Sequence, residues 1–187
     1  MAYLDGGVVI LDISDKSKPK EVSRYNYSPP FNGFTHTAMP LLSRGLMVVT
    51  DECTQDDGKD WPKLSWIFNM ENEKNLVPIS TLPMPPVEVF AKRGGRYGSH
   101  NVHENYPGKL SWRSEDIILA TFFNGGVRVY DITNQYQPQE IAYFVPAAPK
   151  MSPKGAVQIN DVYIDDRNLV YVGDRFSGGL YILEMNV

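Results

Sequence analysis

The stretch Gly6-Gly7-Val8-Val9-Ile10-Leu11-Asp12-Ile13 returns as Gly125-Gly126-Val127-Arg128-Val129-Tyr130-Asp131-Ile132 and again as Gly178-Gly179-Leu180-Tyr181-Ile182-Leu183-Glu184-Met185. Each copy is a Gly-Gly turn followed by β-branched and aromatic residues, the pattern of a hairpin leading into a strand. Another apolar run lies ahead of each: Ala2-Tyr3-Leu4, Ile117 to Thr121, and Leu169 to Val172. Gly45 to Thr50 is a further copy of that preceding run. Behind two of the copies a proline-marked turn opens one more strand, Pro19 to Tyr25 and Pro138 to Phe144. The unit is therefore strand A, strand B, Gly-Gly turn, strand C, Asp-rich turn, strand D. Its length suits a propeller blade of roughly 40–50 residues. No stretch shows the i, i+3, i+4 spacing of a long amphipathic helix. The expectation is an all-β chain, a single half-propeller domain over residues 1–187 with about four blades. The first blade is expected to lack its inner strand A and the last its outer strand D.

Composition narrows the function classes. The formal net charge is −4, and the lysines and arginines are dispersed, which argues against a nucleic-acid surface. No apolar run approaches the roughly 20 residues that span a bilayer, so no membrane segment is expected. The first residues lack the basic and cleavage regions of a signal peptide. With one cysteine, Cys53, there is no intrachain disulfide framework. The expected compartment is soluble and cytoplasmic for the chain as it stands, with the native compartment open if a leader preceded it.

Aligned strand starts concentrate the chemistry. Thr35-His36-Thr37, Ser99-His100-Asn101 and Ile159-Asn160-Asp161 fall in register, so His36, His100 and Asn160 share one position at the start of the innermost strand. All three histidines of the chain, His36, His100 and His103, lie in these starts. In a propeller blade the start of strand A and the end of strand B share one face of the ring. That geometry carries Asp51-Glu52 and Asp174-Arg175 to the same face, and Glu104 follows His103 directly. Imidazole with carboxylate suits zinc, manganese or iron, and soft thiolate ligation has no residues here. A cation held by three protein ligands with an open position lowers the pKa of bound water to about 7 and so generates a hydrolytic nucleophile.

The candidate metal ligands are thus His36, His100 and His103, with Asp161 or Glu104 as further ligand or base and Arg96 as anion stabiliser. The ion would be a divalent cation, zinc or manganese first, with copper or calcium as alternatives. Strand alternation sets a condition: His100 and His103 point to opposite faces unless a bulge intervenes. The competing reading is that the histidines hydrogen-bond the backbone of a neighbouring blade. Two long loops fall on the same face, Cys53 to Ser65 and Pro83 to Ser99, and the second brings Arg93, Arg96 and Tyr97 up to His100. Asp56, Asp57 and Asp60 lack the spacing of a calcium loop and read as a solvated turn. Cys53, beside Glu52, is read as a bystander.

The runs GGVVILDIS and GGVRVYDIT resemble the LVIVD-repeat family, whose members are β-propellers. THTAMPLLSRGLMVVTDE, RGGRYGSHNVHEN and QINDVYIDDRNLVYVGDRFSGGLYILE are similar to its longer bacterial members and, more distantly, to propellers of the selenium-binding-protein type. Such propellers are usually about twice this length, which implies either a partial chain or a homodimer in which two chains close one larger ring. Three functions follow as expectations. The first is a metal-dependent hydrolase of small-molecule esters, lactones or phosphoesters at the channel mouth. The second is a metal-dependent oxidase, implied by the selenium-binding-protein resemblance and weakened by the lack of cysteine near the histidines. The third is a non-catalytic propeller that binds other proteins.

Overall fold

The computed structural model describes residues 1–186; Val187, the last position of the expected final blade, lies outside the described residues. Twelve strands form four antiparallel sheets. The first holds β1 (Val8–Asp12) and β2 (Lys20–Tyr25), and the second β3 (Thr35–Leu41), β4 (Leu46–Asp51), β5 (Ser65–Asn69) and β6 (Val77–Thr81). One helical turn, α1 (Val87–Phe90), interrupts the long connection to the third sheet. That sheet holds β7 (Ile117–Thr121), β8 (Val127–Asp131) and β9 (Gln139–Phe144), and the last β10 (Ile159–Ile164), β11 (Leu169–Asp174) and β12 (Leu180–Glu184). Strand order within each sheet is sequential, so each is one blade of a four-blade β-propeller arc. Among the described residues, no helix is long and apolar enough to cross a membrane.

The repeat explains the blades. The second glycine of each Gly-Gly turn has positive φ, 75° at Gly7, 83° at Gly126 and 72° at Gly179, a conformation that other L-residues adopt rarely. A Cβ at Gly7 or Gly126 would also strike the carbonyl of Tyr25 or Phe144 on the neighbouring strand D. The glycine therefore both turns the chain and lets strand D close on strand C.

Packing runs between blades rather than within them. Met39, Leu41, Val48 and Ile67 meet Ile118, Ala120 and Tyr130 between the second and third blades. Leu119, Val127 and Val129 meet Val162, Ile164, Val170 and Val172 between the third and fourth. Val8 and Tyr27 meet Met47, Val49 and Phe68 between the first and second. Strand alternation gives each blade two apolar faces, one for each neighbour. In strand C the residues Val8, Ile67, Val127 and Val129 face the following blade and are buried. Leu180 and Ile182 occupy the same repeat positions in the last blade and are 61% and 59% exposed.

The expected incomplete blades are seen. Ala2 and Leu4 stand in for strand B of the first blade through isolated bridges, to Val8 and to Thr35 of the next blade. In the third blade strand A is reduced to a bridge between Val102 and Ala120. The last sheet has three strands.

Candidate functional site

The site is built from one irregularity repeated three times. Strand pairing of β3 with β4 skips a residue between Thr35 and Thr37, so His36 is the extra residue of a β-bulge. The pairing of β10 with β11 skips in the same way between Ile159 and Asp161, at Asn160. In the third blade the His100 N–H donates to the Thr121 carbonyl at 3.1 Å while the Thr121 N–H donates to the Asn101 carbonyl at 2.8 Å. His100 and Asn101 thus oppose one residue. A bulged residue sits outside the ladder and its side chain is re-aimed. All three are turned into one depression at the mouth of the channel, lined by His36, Glu52, His100, Asn160, Asp161 and Arg175 among others, with a volume of about 580 Å³.

A second repeat position completes the site. Glu52, Phe123 and Arg175 each lie two residues beyond the strand B residue (Thr50, Thr121, Gly173) that pairs beside the bulge. The Glu52 carboxylate reaches both imidazoles, with Oε2 3.9 Å from His36 Nε2 and Oε1 3.7 Å from His100 Nε2. One ligand atom from each of His36, Glu52 and His100 lies within 4.8 Å of the others. The two rings lie 4.4 Å apart between centroids, tilted by 40°, and Phe123 backs His100 at 4.9 Å.

Hydrogen bonding fixes the rings. His100 Nδ1 lies 2.7 Å from the Asn160 carbonyl oxygen, which only accepts, so Nδ1 carries the proton and Nε2 presents a lone pair to the pocket. The His100 carbonyl accepts from the Thr50 hydroxyl, holding the backbone as well. Burial pushes the His100 pKa below its ordinary value, with His36 adding to the shift and the Asn160 bond, Glu52 and Asp161 opposing it. His36 Nδ1 is 3.2 Å from the Thr37 hydroxyl, and its Nε2 also faces Glu52.

Arg96 anchors the carboxylate. Its Nη1 donates to Glu52 Oε1 at 2.7 Å and to the Cys53 carbonyl at 3.1 Å, while its backbone N–H donates to Gln158 Oε1 at 2.8 Å. Arg175 Nη1 is 3.7 Å from the same Glu52 oxygen.

The structure does not bring His103 to this group. Its Nδ1 accepts from the Ile164 N–H at 3.2 Å, and its Nε2 donates to the Trp112 carbonyl at 2.8 Å. Both ring nitrogens are committed to backbone, the competing reading for these histidines, and burial lowers its pKa. Glu104 is also apart, lining other hollows along the inner wall beside Tyr106. Asp161 does line the pocket, exposed at its rim, with Oδ1 accepting from the Val162 N–H at 3.1 Å. The member missing from the expected ligand set is Glu52. Its signal was its alignment with Arg175 at the end of strand B, a position lying outside the strands themselves.

The two long loops are tied together. Asp56 bridges Arg96, and the Asp57 N–H donates to the Gly95 carbonyl at 2.8 Å. Asp60 departs from the expected solvated turn. It is buried and accepts from the Thr54 and Gln55 N–H groups at 2.7 and 3.2 Å, with buried Lys63 Nζ at 3.6 Å. An aspartate that caps two backbone donors and pairs with a lysine is a loop organiser. Burial pushes the Cys53 thiol up to about 12, which keeps it an inert thiol.

No curated protein sequence matches the chain. A family model described as the LVIVD repeat matches residues 1–27, the span that holds the first Gly-Gly turn, β1 and β2. With the same unit recurring through four consecutive sheets, the chain is a β-propeller arc whose first blade carries a match to the LVIVD repeat.

Proposed function

We propose that His36, His100 and Glu52 hold a divalent cation at the mouth of the propeller and that the chain is a metal-dependent hydrolase of small esters, lactones or phosphoesters. One observation carries the reading: a ring nitrogen from each of two imidazoles and a carboxylate oxygen, from two blades, converge within 4.8 Å of one another. Two histidines and one carboxylate on one side of an ion leave its remaining positions open, which suits zinc, manganese or iron. The backbone partner of His100 Nδ1 is the kind of outer contact that fixes a metal-binding histidine. A bound cation would supply an acidified water as nucleophile. Asp161, at the rim of the same pocket, would be the base that takes a proton from that water, and Arg96 holds Glu52 in position. The deciding experiment is elemental analysis of wild type beside His36→Ala, His100→Ala and Glu52→Gln. Near-stoichiometric zinc or manganese in wild type and its loss in all three variants supports the site. Equal, negligible metal in all four after reloading overturns it and leaves the cluster as an ion-paired clamp between blades.

We also propose that a second copy of the chain covers the open face of the last blade. Leu180 and Ile182 stand where the preceding blades bury their residues against a neighbour, and the first blade exposes Tyr3 and Leu4 at the other end of the arc.

A further inference from the structure

Arg96 and Arg175 both reach Glu52, but they are held differently. Arg96 is tethered by two side-chain bonds at 2.7 and 3.1 Å and by its own backbone, and its side chain is mostly covered. The Arg175 backbone N–H donates to the Gln158 carbonyl at 2.8 Å, but its guanidinium has no contact that close. Its Nη1 is 3.7 Å from Glu52 Oε1 and 3.5 Å from Asn160 Oδ1, its guanidinium carbon lies 6.0 Å from the Phe123 ring centre, and its side chain is 36% exposed. It lines the pocket.

The neighbouring acids do not claim it. Asp174 spends its carboxylate on the N–H groups of Gln158 at 2.7 Å, Phe176 at 2.9 Å and Gly178 at 3.0 Å. Asp161 engages its own chain at Val162. Glu52 is already bonded to Arg96 and faces both imidazoles.

We propose that Arg175 is the residue that recognises the substrate, and that the substrate carries a phosphate group. The inference rests on the metal reading above and narrows it. A cation on Glu52 competes with Arg175 for the carboxylate, frees the guanidinium and adds two positive charges to the pocket. Neutral esters and lactones offer a free guanidinium only an uncharged carbonyl acceptor, with no paired anionic oxygens. A phosphate presents one oxygen to the cation and a pair to the planar fork of arginine, whose donors match it in bidentate fashion.

The test uses manganese and inorganic phosphate on the whole chain, with wild type, Arg175→Gln and Arg175→Lys. Manganese binding is read first, from loss of the free-ion electron paramagnetic resonance signal. Phosphate and acetate are then titrated calorimetrically into each loaded protein. The expected result is equal or tighter manganese binding in Arg175→Gln, with phosphate affinity reduced about tenfold or more and Arg175→Lys in between. Acetate binds loaded wild type more weakly than phosphate. Equal phosphate affinity in loaded wild type and Arg175→Gln overturns the role of Arg175 and leaves the metal site standing. Acetate binding as tightly as phosphate overturns the phosphate assignment. Absence of manganese binding in wild type removes the metal reading and this proposal together.

Discussion

The Glu52 carboxylate is shared between His100, 3.7 Å away, and Arg96, 2.7 Å away, so one side chain links the imidazole pair to the loop that carries the arginine. On the proposed metal reading, Arg96 is a positioning residue for the ligand Glu52. Arg96→Ala is expected to weaken zinc binding on the order of 10–100-fold while leaving it measurable, whereas Glu52→Gln removes a ligand and abolishes stoichiometric uptake. Competition with a chromogenic chelator separates the two outcomes.

His103 gives the fold an acid-side weakness. Its Nδ1 accepts from the Ile164 N–H, so the ring must be neutral, and burial holds its pKa below the ordinary value. The unfolded chain therefore binds the proton more readily. The stability that this residue contributes is complete above about pH 6.5 and is lost as pH falls through the folded-state value. Urea midpoints measured on both sides of that window are expected to fall less steeply in His103→Gln than in wild type, from a lower starting point.

Asp51 has the opposite sign. Buried and accepting from the Tyr27 hydroxyl and from Trp66 Nε1 at 2.8 Å, its carboxyl is pushed up to about 6, chiefly by desolvation. The folded chain holds this proton more tightly than the unfolded one. Its contribution to stability is therefore full below the unfolded-state value near 4 and declines as pH rises through about 6, by at most about 3 kcal/mol. Relative to wild type, Asp51→Asn is expected to gain stability between about pH 4.5 and 7.5, read from urea unfolding at the two values.

Ile67 sits wholly buried between the second and third blades. Truncation to alanine leaves a cavity that the facing blade cannot fill, at a cost of about 2–5 kcal/mol. Calorimetric unfolding measures it, and Ile141→Ala, at an exposed strand position, is the near-neutral comparison.

The exposed pair on β12 predicts association. Light scattering across micromolar concentrations is expected to give twice the chain mass for wild type and the single mass for Ile182→Lys. A single mass for wild type throughout would remove the second copy as the cover of that face.

Most of the architecture is legible in the sequence because Gly-Gly turns, proline-marked turns and two-residue alternation are local signals with local physical causes. The shared position of His36, His100 and Asn160 is equally legible, since it follows from the repeat register. The bulge itself is not. Nothing in Thr35-His36-Thr37 announces that one residue will leave the ladder, because the extra residue is defined only against its partner strand. The same holds for His103, whose partners Trp112 and Ile164 come from distant segments. Glu52 belonged to no strand pattern, and its role emerges only when two blades are set side by side.

The bulge separates two demands that usually compete. Residues in the ladder must suit the packing between blades, so their identities are tied to the core. A bulged residue answers to neither register nor core, which makes it an exchangeable socket. The arc carries three such sockets facing one pocket, two filled by imidazole and one by the amide of Asn160. Asn160→His would seat a third imidazole beside the first two without disturbing a strand. Chemistry at this mouth can thus be rewritten one blade at a time.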